Sequence, residues 1–134
     1  MSEAERRTIF LSKAAESLAG AESEFVNGRF NNCANRCYYA CFQAAIAALL
    51  QHGIQPAGDH QWGHPFVQAQ FADALVNRRK LYPAGTRDTL PQNLILRQRA
   101  DYEEQYITAT QAQRAVRRTR EFVAAIQIQG GERQ

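Results

Sequence analysis

Lysine is nearly absent from this chain. Of its sixteen basic residues only Lys13 and Lys80 are lysines, and against thirteen acidic residues the formal net charge is +3. So small a surplus permits nucleic-acid binding and does not establish it. The basic character comes from arginine, whose planar fork suits phosphate and carboxylate. Proline and glycine are sparse, at four and eight of 134 residues, so long disordered stretches are not expected. No apolar run approaches the roughly 18 residues of a membrane-spanning helix, and no membrane partner is expected. The opening Met-Ser-Glu-Ala-Glu-Arg-Arg has no apolar signal-peptide region, which makes the cytoplasm the expected location. No period-two alternation marks a strand, and no stretch repeats.

Cysteine is scarce too. Cys33, Cys37 and Cys41 stand four apart on one predicted helix. An odd count argues against a disulfide framework, and thiols on one helix face rarely reach bridging geometry. Their spacing matches no zinc motif, so neither a metal nor a cofactor is expected. They read as small buried residues that let helices approach closely.

What remains is helical periodicity. Ser2-x-x-Glu5 is a capping box for a first helix, which carries Leu11, Ala14, Leu18, Ala21 and Phe25 and stops at Asn27-Gly28. A second helix spans Phe30 to His52, is the least polar all round, and should be the most buried. Gly53 to Gly63 reads as a loop. A third helix begins near Pro65 and runs to about Arg79, with a loop from Lys80 to Arg87. A fourth runs from Leu90-Pro91 to near Tyr102. Thr108-x-x-Gln111 opens a fifth, which Gly130-Gly131 should end, leaving about 130–134 as a frayed tail. The expectation is one all-α domain over 1–134, an up-and-down bundle of four to five helices.

Three groups of residues could carry chemistry. Helix two has a polar face, Asn32, Arg36, Tyr39 and Gln43, flanked by Asn35 and Tyr38. A charge on a buried helix needs partners, although a long basic side chain can also reach solvent. At the end of helix four, Arg97 and Asp101 stand i,i+4 and Arg99 and Tyr102 stand i,i+3 on another side, as surface neighbours or helix-end pairs. Helix five carries Arg114, Arg117 and Arg118 on one face, a weak nucleic-acid patch or a solvated face near the helix C-terminus.

Asn35-Arg36-x-Tyr38-Tyr39-Ala40-x-Phe42-x-Ala44-Ala45 resembles the second-helix signature of small prokaryotic HEPN proteins. Arg99-Ala100-Asp101-Tyr102 resembles the end of their fourth helix, and His60 and Phe66 resemble a His and a Phe that follow the second. The Thr108 helix start and Glu121-Phe122-Val123 fit as well, so the resemblance spans nearly the whole chain. It implies a bundle that commonly homodimerises and sits in toxin–antitoxin or defence loci, often beside a nucleotidyltransferase partner. Many members are metal-independent ribonucleases, using an Arg followed after four to six residues by a His.

This chain departs from that motif. Its histidines are His52, His60 and His64, none five to seven positions after an Arg; five on from Arg97 stands Tyr102. A Tyr, with an ordinary pKa near 10, is a poor general base at neutral pH. The expectation is therefore a nucleotide- or RNA-associated module, leaning away from an enzyme. Its polar cluster would be Asn35, Arg36, Tyr39, Arg97, Arg99, Asp101 and Tyr102, either binding a nucleotide or RNA phosphate or locking the homodimer. Two alternatives stand beside it. One is a divergent metal-independent endoribonuclease using Arg99, Tyr102 or His60; the other is a structural dimeric adaptor. In related pairs the transferase modifies a Tyr, which makes Tyr102 and Tyr106 candidate targets.

Overall fold

The first helix, α1 (Glu3–Val26), begins where the sequence places it. The Ser2 hydroxyl accepts from the Glu5 amide at 3.1 Å, and the Glu5 carboxylate accepts from the Ser2 amide at 3.3 Å. It ends at Asn27, where Gly28 takes a φ of 74° that L side chains rarely adopt. The computed structural model describes residues 1–58 and 61–132, the last four of them by backbone alone. Within those residues it holds α1, α2 (Phe30–Gln51), α3 (His64–Gln70), α4 (Thr89–Tyr102) and α5 (Ala109–Glu132), and no strand. The all-helical expectation holds.

Helix α2 is the axis of the bundle. Its buried residues run without a break from Ala44 to Leu50 and include all three cysteines. A helix stretch buried on every side, as Ala44–Leu50 is, must be surrounded, and α2 packs on α1, α3, α4 and α5. Alanine and cysteine make that possible, because short side chains let several neighbours come close at once. Helices α1 and α2 are antiparallel: Gln55, just past α2, donates to Glu3 at 2.8 Å. At the other end the Ile107 amide, just before α5, donates to Asn31 at 2.9 Å, so α5 runs alongside α2 in the same direction.

The third helix departs from the expectation of one regular helix to Arg79. After Gln70 the backbone widens into a π-helix over Phe71–Arg78, which turns Ala74, Leu75 and Val76 all inward. The loop expected from Lys80 to Arg87 contains a short 3-10 turn, Ala84–Asp88. Helix α5 is also longer than expected, since its helical backbone passes through Gly130 and Gly131 to Glu132. Glycine within a helix costs about 1 kcal/mol relative to alanine, which a continuous helix can absorb.

One buried polar network pins α2, α4 and α5 together. Asn93 of α4 is fully buried; its amide nitrogen donates to the Thr119 hydroxyl (2.9 Å), Cys41 Sγ (3.2 Å) and the Cys37 carbonyl (3.4 Å). Its oxygen accepts from Arg118 Nε at 2.7 Å. Cys41 is thus an acceptor as well as a space-saver, and burial pushes its thiol up to about 12. Asn93→Leu should destabilise the chain by about 3 kcal/mol, since it strands half-buried Arg118 and the Thr119 hydroxyl without partners. Adding Arg118→Met should restore part of that loss. Urea denaturation of the wild type, single and double variants measures both effects; full additivity of the two changes would refute the coupling.

Candidate functional site at the junction of α2, α3 and α4

The best-built polar cluster centres on Arg97. From α4 its guanidinium lies over two rings of α2, 5.4 Å from the Tyr38 centroid and 5.3 Å from that of Tyr39. Its side chain is 17% exposed. Its Nε stands 3.3 Å from Asp101 Oδ2, an i,i+4 ion pair, but the angle does not make a hydrogen bond, so this buried N–H is unsatisfied. Arg36 lies over the Tyr39 ring at 5.2 Å and donates to Asn35 Oδ1 at 2.6 Å, while remaining exposed. The sequence of contacts from Arg36 through Tyr39 and Arg97 to Tyr38 is therefore an alternating ladder of cations and rings. Each step contributes roughly 0.5–2 kcal/mol, more where water is excluded.

Two residues from α3 complete the cluster. The Tyr38 hydroxyl is hydrogen-bonded to His64 Nδ1. The His64 ring also packs on Phe42, with centroids 4.9 Å apart. Gln68, one turn further on, turns its amide toward the Tyr38 hydroxyl, but its buried Nε2 does not reach hydrogen-bond geometry with it or with any other acceptor. Burial pushes the Tyr38 phenol up to about 12, and the nearby Arg97 charge works against that rise. Burial, followed by the Arg97 charge, pulls the His64 imidazole below its usual value. At neutral pH the centre therefore holds the Arg97–Asp101 ion pair, a neutral imidazole, a neutral phenol and two buried N–H donors without hydrogen-bond acceptors, Arg97 Nε and Gln68 Nε2. An unsatisfied buried donor is costly, and an incoming oxyanion is a natural partner for two of them.

The structure divides the residues singled out from sequence. Asn35, Arg36, Tyr39, Arg97 and Asp101 come together. Arg99 does not join them; it lines a separate cleft of about 290 Å³ with Glu103, Gln105, Tyr106, Ile107 and Gln111 at the end of the bundle. Tyr102 and Tyr106 are 78% and 84% exposed. His60 lies outside the described residues. On α5, Arg114 and Arg117 face outward, whereas Arg118 turns in to Asn93, so the three do not form one exposed face. His64 and Gln68 were not singled out by motif or periodicity. The one available signal was His64-Pro65 at a helix start, which fixes where a histidine side chain leaves the backbone.

The arrangement has the chemistry of an anion site. Among the described residues no group of His, Cys, Asp and Glu could hold a metal ion. The family model for the HEPN domain matches residues 8–129, nearly the full length. No curated protein matches the chain.

Because the folded His64 is harder to protonate than the unfolded one, acid works against the fold. The His64 contribution is fully present above the unfolded imidazole value of about 6.5. It declines as pH falls below that value and levels off once the folded imidazole is protonated. Urea midpoints measured from pH 8 to pH 5 should therefore fall, and His64→Asn should flatten that part of the profile. An identical profile in the variant would show that His64 titrates as it does in the unfolded chain.

Proposed function

Since this chain belongs to the HEPN domain family, whose members have RNA-related and toxin–antitoxin roles, we propose that it is an RNA- or nucleotide-binding module of such a system. Its phosphate-recognition centre is Arg97. The observation that carries this reading is the buried, unsatisfied Arg97 Nε, whose guanidinium lies over the Tyr38 ring, with a second unsatisfied donor, Gln68 Nε2, on a residue that also meets Tyr38. A phosphate oxygen supplies the acceptor they lack, and the stacked tyrosines hold the guanidinium in place before the ligand arrives, which lowers the ordering cost of binding. Asp101 balances the charge while the site is empty. In this reading the module acts in a homodimer and beside a partner such as a nucleotidyltransferase, and its binding needs no metal.

A second reading is favoured by a specific observation. His64 is held neutral beside Arg97 and bonded through Nδ1 to Tyr38. A neutral imidazole next to a phosphate-binding Arg is the pairing that metal-independent RNA cleavage uses, with the imidazole accepting the proton of the 2′-hydroxyl. Here it would come from α3 rather than from the residue five on from Arg97.

One experiment separates these readings. Purified protein is incubated with total RNA and a tRNA mixture in EDTA, and binding of labelled nucleotides and short RNA is followed by fluorescence anisotropy. The binding module predicts intact RNA, with Arg97→Ala weakening ligand binding by tenfold or more and Arg97→Lys recovering only part, because a lysine has no planar fork. The ribonuclease predicts cleavage that both Arg97→Ala and His64→Asn abolish, with a pH profile rising through the lowered His64 value. If no phosphate-bearing ligand binds and no RNA is cut, Arg97 is a structural element.

A further inference from the structure

The bundle end remote from Arg99 carries cations that the Arg97 cluster does not use. Arg6 and Arg7 of α1 and Arg79 converge on the last turn of α2. Arg6 Nη1 donates to Gln55 Oε1 at 3.2 Å, Arg7 Nη1 to Gln51 Oε1 at 3.5 Å, and Arg79 Nη1 to the His52 carbonyl at 3.1 Å. Beside Arg79 stand Arg78 and Lys80, and Arg87 Nη1 binds Asn77 Oδ1 at 2.8 Å. Residues 77–80 and Arg87 are all exposed. Among the described residues no carboxylate lies within 4.0 Å of Arg6, Arg7, Arg78, Arg79 or Lys80; Arg87 alone has one, Asp88, at 4.0 Å. Of the described carboxylates near these residues, Glu3 accepts from Gln55 and Glu5 is held in the α1 cap, while Asp73 and Asp88 are exposed.

Part of this has a local cause, because cations near a helix C-terminus offset its dipole. That accounts for Arg6, Arg7 and Arg79, and for Arg78, which lies in the last turn of the π-helix with its Nε donating to the Asp73 carbonyl at 3.4 Å; it leaves Lys80 and Arg87. The backbone is the second observation. The π-helix ends at Arg78, and Lys80 follows with a φ of 53°, the one non-glycine positive φ among the described residues. Such a conformation is strained for a residue with a side chain, and π-helical turns gather at functional positions. The third is a cleft of about 280 Å³ lined by Val76, Asn77, Lys80, Tyr82, Ala84 and Arg87, room for one phosphate and its ribose.

We propose that this end is a second, sequence-independent docking surface for the phosphodiester backbone of single-stranded RNA. Lys80 and Arg87 grip one phosphate in the cleft, and Arg78, Arg79, Arg6 and Arg7 meet the flanking ones. A lipid surface fits less well, because residues 77–88 expose no large apolar side chain to enter a bilayer. The surface shares the RNA association proposed above and uses no residue of the Arg97 cluster.

The test is fluorescence anisotropy of the full chain with a labelled short RNA across a KCl series. It compares wild type, R78Q/K80Q/R87Q and R114Q/R117Q. Each lost phosphate contact removes about 0.7 from the slope of log affinity against log salt. The triple variant should therefore flatten that slope by about two while its thermal melt stays cooperative. The α5 pair should keep the wild-type slope, and homopolymers of different bases should bind alike. Four results would each overturn the proposal: no RNA binding by wild type at low salt, an unchanged slope in the triple variant, a slope lost in the α5 pair instead, or binding to phosphatidylserine vesicles without binding to RNA. Arg97 is present in all three proteins, so failure of the Arg97 site leaves this difference measurable. An unchanged slope in the triple variant leaves the Arg97 reading standing.

Discussion

Helix α2 touches every other α-helix of the bundle, and only small side chains let it do so. From Cys33 to Leu50 its buried positions are largely alanine and cysteine, and its larger residues cluster at two places, Tyr38 to Phe42 and Ile46 to Leu50. A helix made this way contributes little volume of its own. The bulk of the core comes from residues that reach toward it, including Phe71, Leu75, Leu90, Phe122 and Ile126. Close packing against short side chains also brings backbones near one another. Polar groups on α4 then have to find partners across the interface, because water cannot follow them in.

That constraint explains why polar chemistry in this molecule sits where α4 meets α2. Asn93 and Arg97 are one helical turn apart, and each answers the problem differently. Asn93 has a partner at each polar atom: a hydroxyl, a sulfur, a carbonyl and the Arg118 guanidinium. It fastens three helices and leaves nothing for a ligand. Arg97 is stacked rather than bonded. Two tyrosine faces fix where its guanidinium lies, while its Nε and the neighbouring Gln68 Nε2 remain without acceptors. A fully satisfied network specifies packing; a positioned but unsatisfied one is prepared for a partner. The same turn of α4 thus separates a satisfied polar network from an unsatisfied one.

Local features were the legible ones. The α1 capping box, the Gly28 stop, the span of α2 and the Arg97–Asp101 pair depend on residues three or four apart, and each is where its pattern places it. Features that depend on contacts across the chain were not legible. Periodicity alone cannot show that His64 meets Tyr38, twenty-six positions earlier, or that Arg118 turns inward while Arg117 faces out, because each outcome is decided by which neighbour is present. The π-helix over Phe71–Arg78 is similar, since α-helical spacing fits the same apolar residues. The three glycines of the described loops and turns with positive φ, by contrast, were each at a marked stop or within a stretch read as loop.

The place of Tyr102 on α4 has a geometric consequence. Tyr102 follows Arg97 by five, and five residues advance a helix by about 140° beyond a full turn. Arg97 faces α2, so Tyr102 must face away, and it is 78% exposed. A general base at that position would lie on the far side of α4 from the guanidinium within one chain. Within the same chain the groups near Arg97 that could take a proton from a ligand are Asp101, Tyr38 and His64, and Asp101 is already engaged as the counter-ion of the guanidinium. Tyr38 is excluded because burial raises its phenol to about 12, too high to carry a usable fraction of phenolate near neutrality. His64 remains, kept neutral by the same burial and by the same Arg97 charge that would draw the phosphate in. In the ribonuclease reading proposed above, cleavage depends on whether a 2′-hydroxyl can reach the free lone pair of that imidazole. The Tyr38 hydrogen bond to Nδ1 governs this, because it selects which ring nitrogen keeps the proton. If Tyr38 accepts from Nδ1–H, Nε2 is the base; if it donates, both lone pairs are engaged or protonated and the site can only bind.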